Sequence, residues 1–293
     1  MALKPTGYNA DELQATLLPT LLSNTILQSL AKIIHPSLLK IASWTRFSTM
    51  ATDRQPEIIL YDVACIKNTC FSPVVWKIRL MLNYKDIPYK TIFLEFPDIE
   101  PKLKELGLEA HVSGSTRYTV PAIHHVPTGK YIMDSLPIAD FLESTYPDPP
   151  LPLSSKLGRE IETKARGAVG PVFRISITPR ENLILSPRAQ EFFRAKNEAR
   201  MGCKLEDLMD PEKEENTWQA VADKMSELSD LMLTNKDKGP FLLGEKPTYT
   251  DFFIAASLQS ARTIDEEIFQ RCAVYPGFKA IYEACIPWME KKD

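Results

Sequence analysis

The sequence predicts an α/β domain with the element order β-α-β-α-β-β-α, followed by an all-helical domain. Three observations carry this. A short apolar run, 58–63, precedes a segment whose apolar residues recur with helical spacing at Val74, Ile78, Met81 and Leu82. Two further β-rich stretches around residues 120–133 are joined by the turn Pro127-Thr128-Gly129-Lys130 and read as a hairpin. Beyond the proline-dense Asp148-Pro149-Pro150-Leu151-Pro152, only helical patterns are found.

Taken in order, strand 57–63 leads through Cys70-Phe71-Ser72-Pro73 into a helix over 73–85. That helix ends at Asp86-Ile87-Pro88, because a residue before proline avoids helical geometry. Residues 89–96 alternate as a strand. Asp98 is a candidate cap for a short helix through Leu106, with Gly107 as its stop. Strand 119–124 enters through Pro121, and 131–133 returns. Asp134-Ser135 opens a helix with Ile138, Phe141 and Leu142 along one side, closed by Tyr146-Pro147. In the second half, a helix over 156–177 is expected to kink or break at Gly167, Gly170 and Pro171. Helices follow over 187–200 and 211–233, then from near Thr248 and near Tyr275. The domains are therefore 56–147 and 158–293, with a linker over 148–157.

Residues 1–55 are set apart as a poorly ordered extension. Leucines at helical spacing are interrupted by Pro19, and the stretch is too often broken by polar residues to span a membrane. Weak mitochondrial targeting by residues 1–50 is the alternative to a cytoplasmic protein, and the near absence of arginine counts against it. The net charge of −3, without a basic stripe, gives no reason to expect a nucleic-acid partner. Five cysteines form no C-x-x-C pair and suit a reducing compartment. The four histidines lack metal-site spacing, and adjacent His124 and His125 would point to opposite faces of a strand, so no metal is expected.

One place favours an anion on elementary grounds. Ser72-Pro73 sits at the first turn of a helix, where unpaired N–H groups and the positive end of the helix dipole converge. A thiolate is one anion such a place stabilises. The bland alternative is that Ser72 merely caps the helix.

From about residue 57 onward the chain resembles the soluble glutathione transferase family, a thioredoxin-like domain joined to a helical one. The resemblance is carried by Ser72-Pro73, Val120-Pro121, Asp134-Ser135 and Thr248-Tyr249-Thr250-Asp251, in that order. The strings Phe71-Ser72-Pro73-Val74-Val75-Trp76-Lys77 and Phe96-Pro97-Asp98-Ile99-Glu100-Pro101 look like fungal and bacterial members related to lignin β-etherases. The resemblance implies a serine-type enzyme in which Ser72 hydrogen-bonds the glutathione sulfur and lowers its thiol pKa. It further implies a cis bond at Val120-Pro121, with the Val120 backbone meeting the cysteinyl part of glutathione. Asp134 and Ser135 would take the ammonium and carboxylate of the γ-glutamyl end.

Glutathione is thus the implied co-substrate, with an apolar electrophilic small molecule as second partner and a homodimer by family habit. By analogy, Trp76, Phe173 and Phe193 would line the electrophile pocket, and Arg117 or Lys104 would meet the glycyl carboxylate. Thr248-Tyr249-Thr250-Asp251 fits a capping box with a folding role. The products open to such an enzyme include conjugates in detoxification or secondary metabolism and cleaved ethers. Two alternatives stand beside it: a binding or regulatory module without turnover, and a thiol-exchange reductase acting through Cys70.

Overall fold

The central strand is β1 (Ile58–Val63), an apolar run with both faces covered. In the computed structural model, which describes residues 54–112 and 116–290, it is flanked on one side by β2 (Tyr89–Leu94), running parallel. On the other side lies antiparallel β3 (Ala122–His125), which continues to β4 (Lys130–Met133), giving the order β2-β1-β3-β4. A parallel pair needs a crossover, and α1 (Pro73–Tyr84) supplies it. The expected N-terminal extension and its targeting reading lie outside the described residues.

Helix α1 is buried almost all round, because one side faces the sheet and another packs on α8 (Tyr249–Ile264), the most extensive helix–helix contact of the fold. Behind it, Arg79 donates to Asp62 of β1 at 2.9 Å and to Thr91 at 3.0 Å, with both members of the ion pair fully buried. Helix α2 (Phe96–Glu105) begins two residues before the expected cap at Asp98. Pro97 in its first turn is the better start signal, since the missing N–H there would have no partner in any case. Helix α3 (Ser135–Thr145) follows β4 directly, which completes the thioredoxin-like half. His124 stacks on Tyr131 at 4.3 Å, whereas His125 turns inward to Thr128 and Tyr146, the two-faced arrangement expected of neighbours in a strand.

The second half is helical: α4 (Lys156–Ala168), α5 (Thr178–Leu183), α6 (Pro187–Met201), α7 (Pro211–Met232), α8, α9 (Glu266–Ala273) and α10 (Pro276–Cys285). Helix α4 starts at Lys156, two residues ahead of the expected domain boundary, because Ser155 caps it by accepting from the N–H of Gly158 at 2.9 Å. The expected break within 156–177 is a change of helical pitch: a short turn at Gly170–Val172 runs into a π-helical turn at Phe173–Ile177. Gly158 permits the close crossing of α4 and α8, since a Cβ there would lie 2.5 Å from Thr250 Oγ1. One hydrophobic core runs through both halves, and residues from Gln55 onward form one unit.

Candidate functional site

Ser72 precedes Pro73 at the start of α1, with φ −64° and ψ 122°, and its carbonyl accepts from Trp76 N–H at 2.9 Å. Its hydroxyl makes no capping bond, although a serine in this position commonly does. The side chain is largely enclosed, with 7 % of its surface exposed. No acidic residue occupies the first turn, so the dipole's positive end is uncompensated there. The simple capping role is thereby set aside: the hydroxyl is left to meet something else.

Val120–Pro121 is a cis peptide bond. Among the described residues, no backbone group takes up the N–H or C=O of Val120, while Pro121 C=O accepts from Asp134 N–H at 3.0 Å. That bond ties two motifs separated in sequence. Asp134 has φ +80°, in the left-handed region that non-glycine residues enter at a cost, and its carboxylate accepts from Ser135 N–H at 2.6 Å. Ser135 is held at three points. Lys77 Nζ of α1 donates to its hydroxyl at 3.2 Å, Tyr249 OH of α8 donates to its carbonyl at 3.2 Å, and Asp134 holds its N–H. Burial pulls the Lys77 ammonium below the usual lysine range, against the opposing pull of Glu162 and Asp134. Burial likewise pushes the Tyr249 phenol up to about 12, so it stays a donor.

Ser72 and Val120 line one cleft of about 570 Å³, together with Phe96, Arg117, Glu181 and Lys196. Asp134 does not line that cleft; it lines a second, open groove beside Lys130 and Asp140, which shares no wall residue with the first. An apolar pocket of about 280 Å³ opens on the helical side of Pro73 and Val74, walled by Phe173, Met232, Phe253 and Phe278. Pro73 belongs to both the cleft and this pocket, so an anion at Ser72 would stand between them.

Several expected residues take other roles. Trp76 is fully buried and donates to Cys70 C=O at 3.2 Å, and Phe193 packs in the core against Phe96 at 5.4 Å, so neither lines the apolar pocket. Phe173 does. Lys104 is engaged by Glu100 at 2.6 Å on the surface of α2, whereas Arg117 lines the cleft. Cys70 has no exposed surface and lies within the charge field of Arg79 and Tyr89 behind α1, a position that does not offer its thiol to the cleft. Sequence reasoning missed Lys77, Glu181 and Lys196. For Lys77 the local sign was a lysine within the largely apolar α1, whereas Glu181 and Lys196 stand in polar stretches that carried none. Among the described residues no group of His, Cys, Asp and Glu is arranged to hold a metal, and no helix is long and apolar enough to cross a membrane.

Family models match in both halves: a glutathione S-transferase N-terminal domain over residues 71–145 and a glutathione S-transferase C-terminal domain over 162–273. A glutathione S-transferase-like protein, ustS, of Aspergillus flavus is 34% identical over 238 residues, covering 75% of this chain and 85% of that protein. Among solved structures, a glutathione S-transferase of Ceriporiopsis subvermispora in complex with glutathione is 29% identical, with a TM-score of 0.72 over 80% of this chain and 99% of that one. The glutathione transferase GSTFuA3 of Phanerochaete chrysosporium is 28% identical, with a TM-score of 0.70 over 82% of this chain and 100% of that one.

Proposed function

The chain belongs to the glutathione S-transferase family and is a transferase acting with glutathione, and on that premise we propose that Ser72 holds the glutathione thiolate for attack on an apolar electrophile. The observation that carries this reading is the unengaged hydroxyl of Ser72, enclosed at a helix N-terminus and facing the same cleft as Val120. An O–H donor and the helix pole both favour the ionised sulfur over the thiol, which lowers its pKa. The free N–H and C=O of Val120 suit an extended cysteinyl group pairing as a strand would. Asp134 and Ser135 suit the γ-glutamyl ammonium and carboxylate, with Lys77 adding positive charge beside the Ser135 hydroxyl.

The electrophile would enter from the helical side through the apolar pocket at Phe173 and Phe253. Conjugation and ether cleavage both begin with this attack. The homodimer and the cytoplasmic location belong to the same proposal. For the location, the support is that none of the five cysteines is in a disulfide. The mass in solution and cell fractionation test these two.

The central test is a glutathione titration that follows thiolate absorbance. The wild type is expected to bind glutathione and hold it ionised near neutral pH, and Ser72→Ala to bind it with much of that ionisation gone. Binding without a thiolate in the wild type would favour the non-catalytic module. Reduction of a glutathione mixed disulfide that depends on Cys70 would favour the exchange reaction.

A further inference from the structure

The segment that delivers Ser72 to α1 is tied to the helical half. It runs from the end of β1 through Cys65-Ile66-Lys67-Asn68-Thr69. Lys67 Nζ donates to the carbonyls of Thr263 at 2.7 Å and Ile264 at 3.3 Å, across 196 and 197 residues. These carbonyls lie in the last turn of α8, where intrahelical donors run out and the helix dipole is negative. One residue before Lys67, Ile66 N–H donates to the carbonyl of Ile184, just past α5, at 2.8 Å.

The two anchors are themselves joined. Asp265, directly after α8, meets Arg180 Nε of α5 at 3.0 Å. The bonds therefore close a ring: Lys67 to the end of α8, Asp265 to α5, and Ile184 back to Ile66. A single tether leaves a loop free to swing, whereas a closed ring shortens the segment that can move. Inside the ring the turn is set locally. Asn68 has φ +49°, a left-handed value that Asn enters more readily than most residues, and Cys65 Sγ donates to Thr69 C=O at 3.2 Å. From Thr69 only Cys70 and Phe71, both buried, lead to Ser72. Helix α5 contributes Glu181 to the cleft that Ser72 lines, so the ring also holds two walls of that cleft together.

We propose that Lys67 is a positioning residue of this transferase, setting the Ser72 hydroxyl against the glutathione sulfur through the ring its loop makes with α8 and α5. The inference rests on the reading of Ser72 as the thiolate site. A hydrogen bond weakens steeply as it is bent, so a loosened loop costs thiolate stabilisation first. The groups that suit the rest of glutathione, at Val120, Asp134 and Ser135, stand on other segments of the chain. Binding and ionisation of glutathione are therefore separable. The plainer alternative is that Lys67 only caps α8.

The test follows the thiol pKa of bound glutathione by thiolate absorbance in the wild type, Lys67→Met and Lys67→Arg. Lys67 is exposed, so its replacement leaves the core intact. Lys67→Met is expected to make the bound thiol about 3-fold less acidic. At saturating glutathione, kcat/KM for chlorodinitrobenzene should then be about 3-fold lower below the wild-type thiol pKa and should converge on the wild type well above it. Lys67→Arg, which keeps a donor for the same carbonyls, should hold the wild-type pKa. Affinity for S-methylglutathione, which has no thiol to ionise, should be equal in all three by calorimetry. An unchanged thiol pKa in Lys67→Met overturns the proposal, whatever happens to Tm, because a lost helix cap moves stability and not the thiolate. A matching loss of S-methylglutathione affinity also overturns it, since the whole site would then have loosened. If Lys67→Met folds poorly, Asp265→Asn decides: it opens the ring at Arg180, keeps a cap for α9, and must move the thiol pKa in the same direction. A wild type that binds S-methylglutathione but holds no thiolate would instead overturn the Ser72 reading, and this inference with it.

Discussion

The two sides of α1 handle polar groups in opposite ways. Behind the helix, Arg79 is fully buried and is met by Asp62, Thr91 and Tyr89, the last at 3.4 Å. In front of it, among the described residues, the Ser72 hydroxyl makes no capping bond, no backbone group meets the N–H or C=O of Val120, and Ser260 has a buried oxygen without a partner. Both regions remove polar atoms from water, which is costly unless hydrogen bonds replace what is lost. Behind α1 the replacement is internal, and it fixes β1, α1 and β2 together. In front, the replacement has to come from outside the chain.

The largest effect should come from breaking the met side. Asp62→Ala leaves the Arg79 guanidinium buried without its counter-charge, and the expected cost is about 3–5 kcal/mol in urea unfolding. Replacing both residues together with apolar side chains should cost clearly less than Asp62→Ala alone. If the double variant is no better, the pair is not what anchors this side.

Next is Ser72→Ala, which should do the reverse. Removing a hydrogen bond to an ionised sulfur loses about 1.5–3 kcal/mol, or roughly a 10- to 100-fold drop in kcat/KM. Because the hydroxyl makes no capping bond, the loss in unfolding free energy should stay below about 0.5 kcal/mol. A stability loss near the ~1 kcal/mol typical of a lost cap would move Ser72 to the structural side of the comparison.

Lys77→Met, smaller again, removes the donor to Ser135 Oγ and should weaken glutathione binding by about 10-fold, equal to about 1.4 kcal/mol by calorimetry. Unchanged affinity would show that Lys77 only fills the seam between α1 and α8.

The smallest effect concerns pH and Glu181. Its folded pKa, about 7, lies above the unfolded value of about 4.5, so between these the folded state binds more protons. Its stabilising contribution is therefore complete below about pH 4.5 and is lost as pH rises through about 7. Because Glu181 keeps part of its surface in water, which screens the effect, the fall in Tm between acidic and mildly alkaline buffer should shrink by only about 2–4 °C in Glu181→Gln. No change in that slope would mean that the carboxyl is solvated.

What could be read from the sequence follows the reach of each interaction. The helix start at Ser72-Pro73, the cis bond at Val120-Pro121 and the helix start at Asp134-Ser135 are set by local backbone geometry, and each was legible as such. So was the capping box, where Thr248 and Asp251 exchange bonds within one turn. The grip of Lys77 on Ser135 spans 58 residues and that of Tyr249 spans 114, so no local pattern could announce either. Trp76 and Phe193 were misplaced for a related reason. They were placed by analogy with the family, and the element that faces an apolar side chain in this chain decides whether it meets core or cavity. Glu181 was invisible because its neighbours in sequence, Arg180 and Asn182, point it nowhere. A π-helical turn runs directly into α5, and helical periodicity in the sequence does not forecast such a turn.

The bond from Tyr249 to the Ser135 carbonyl also bears on how freely the two halves could be exchanged. Tyr249 stands at the first position of α8, within a buried capping box, and reaches Ser135 in the other half. A graft of residues 56–147 onto a foreign helical partner would bring the sequence motifs but not this brace. The glutathione half is therefore not a portable cassette, and swaps between relatives should cut outside α1, α3 and α8 as a set.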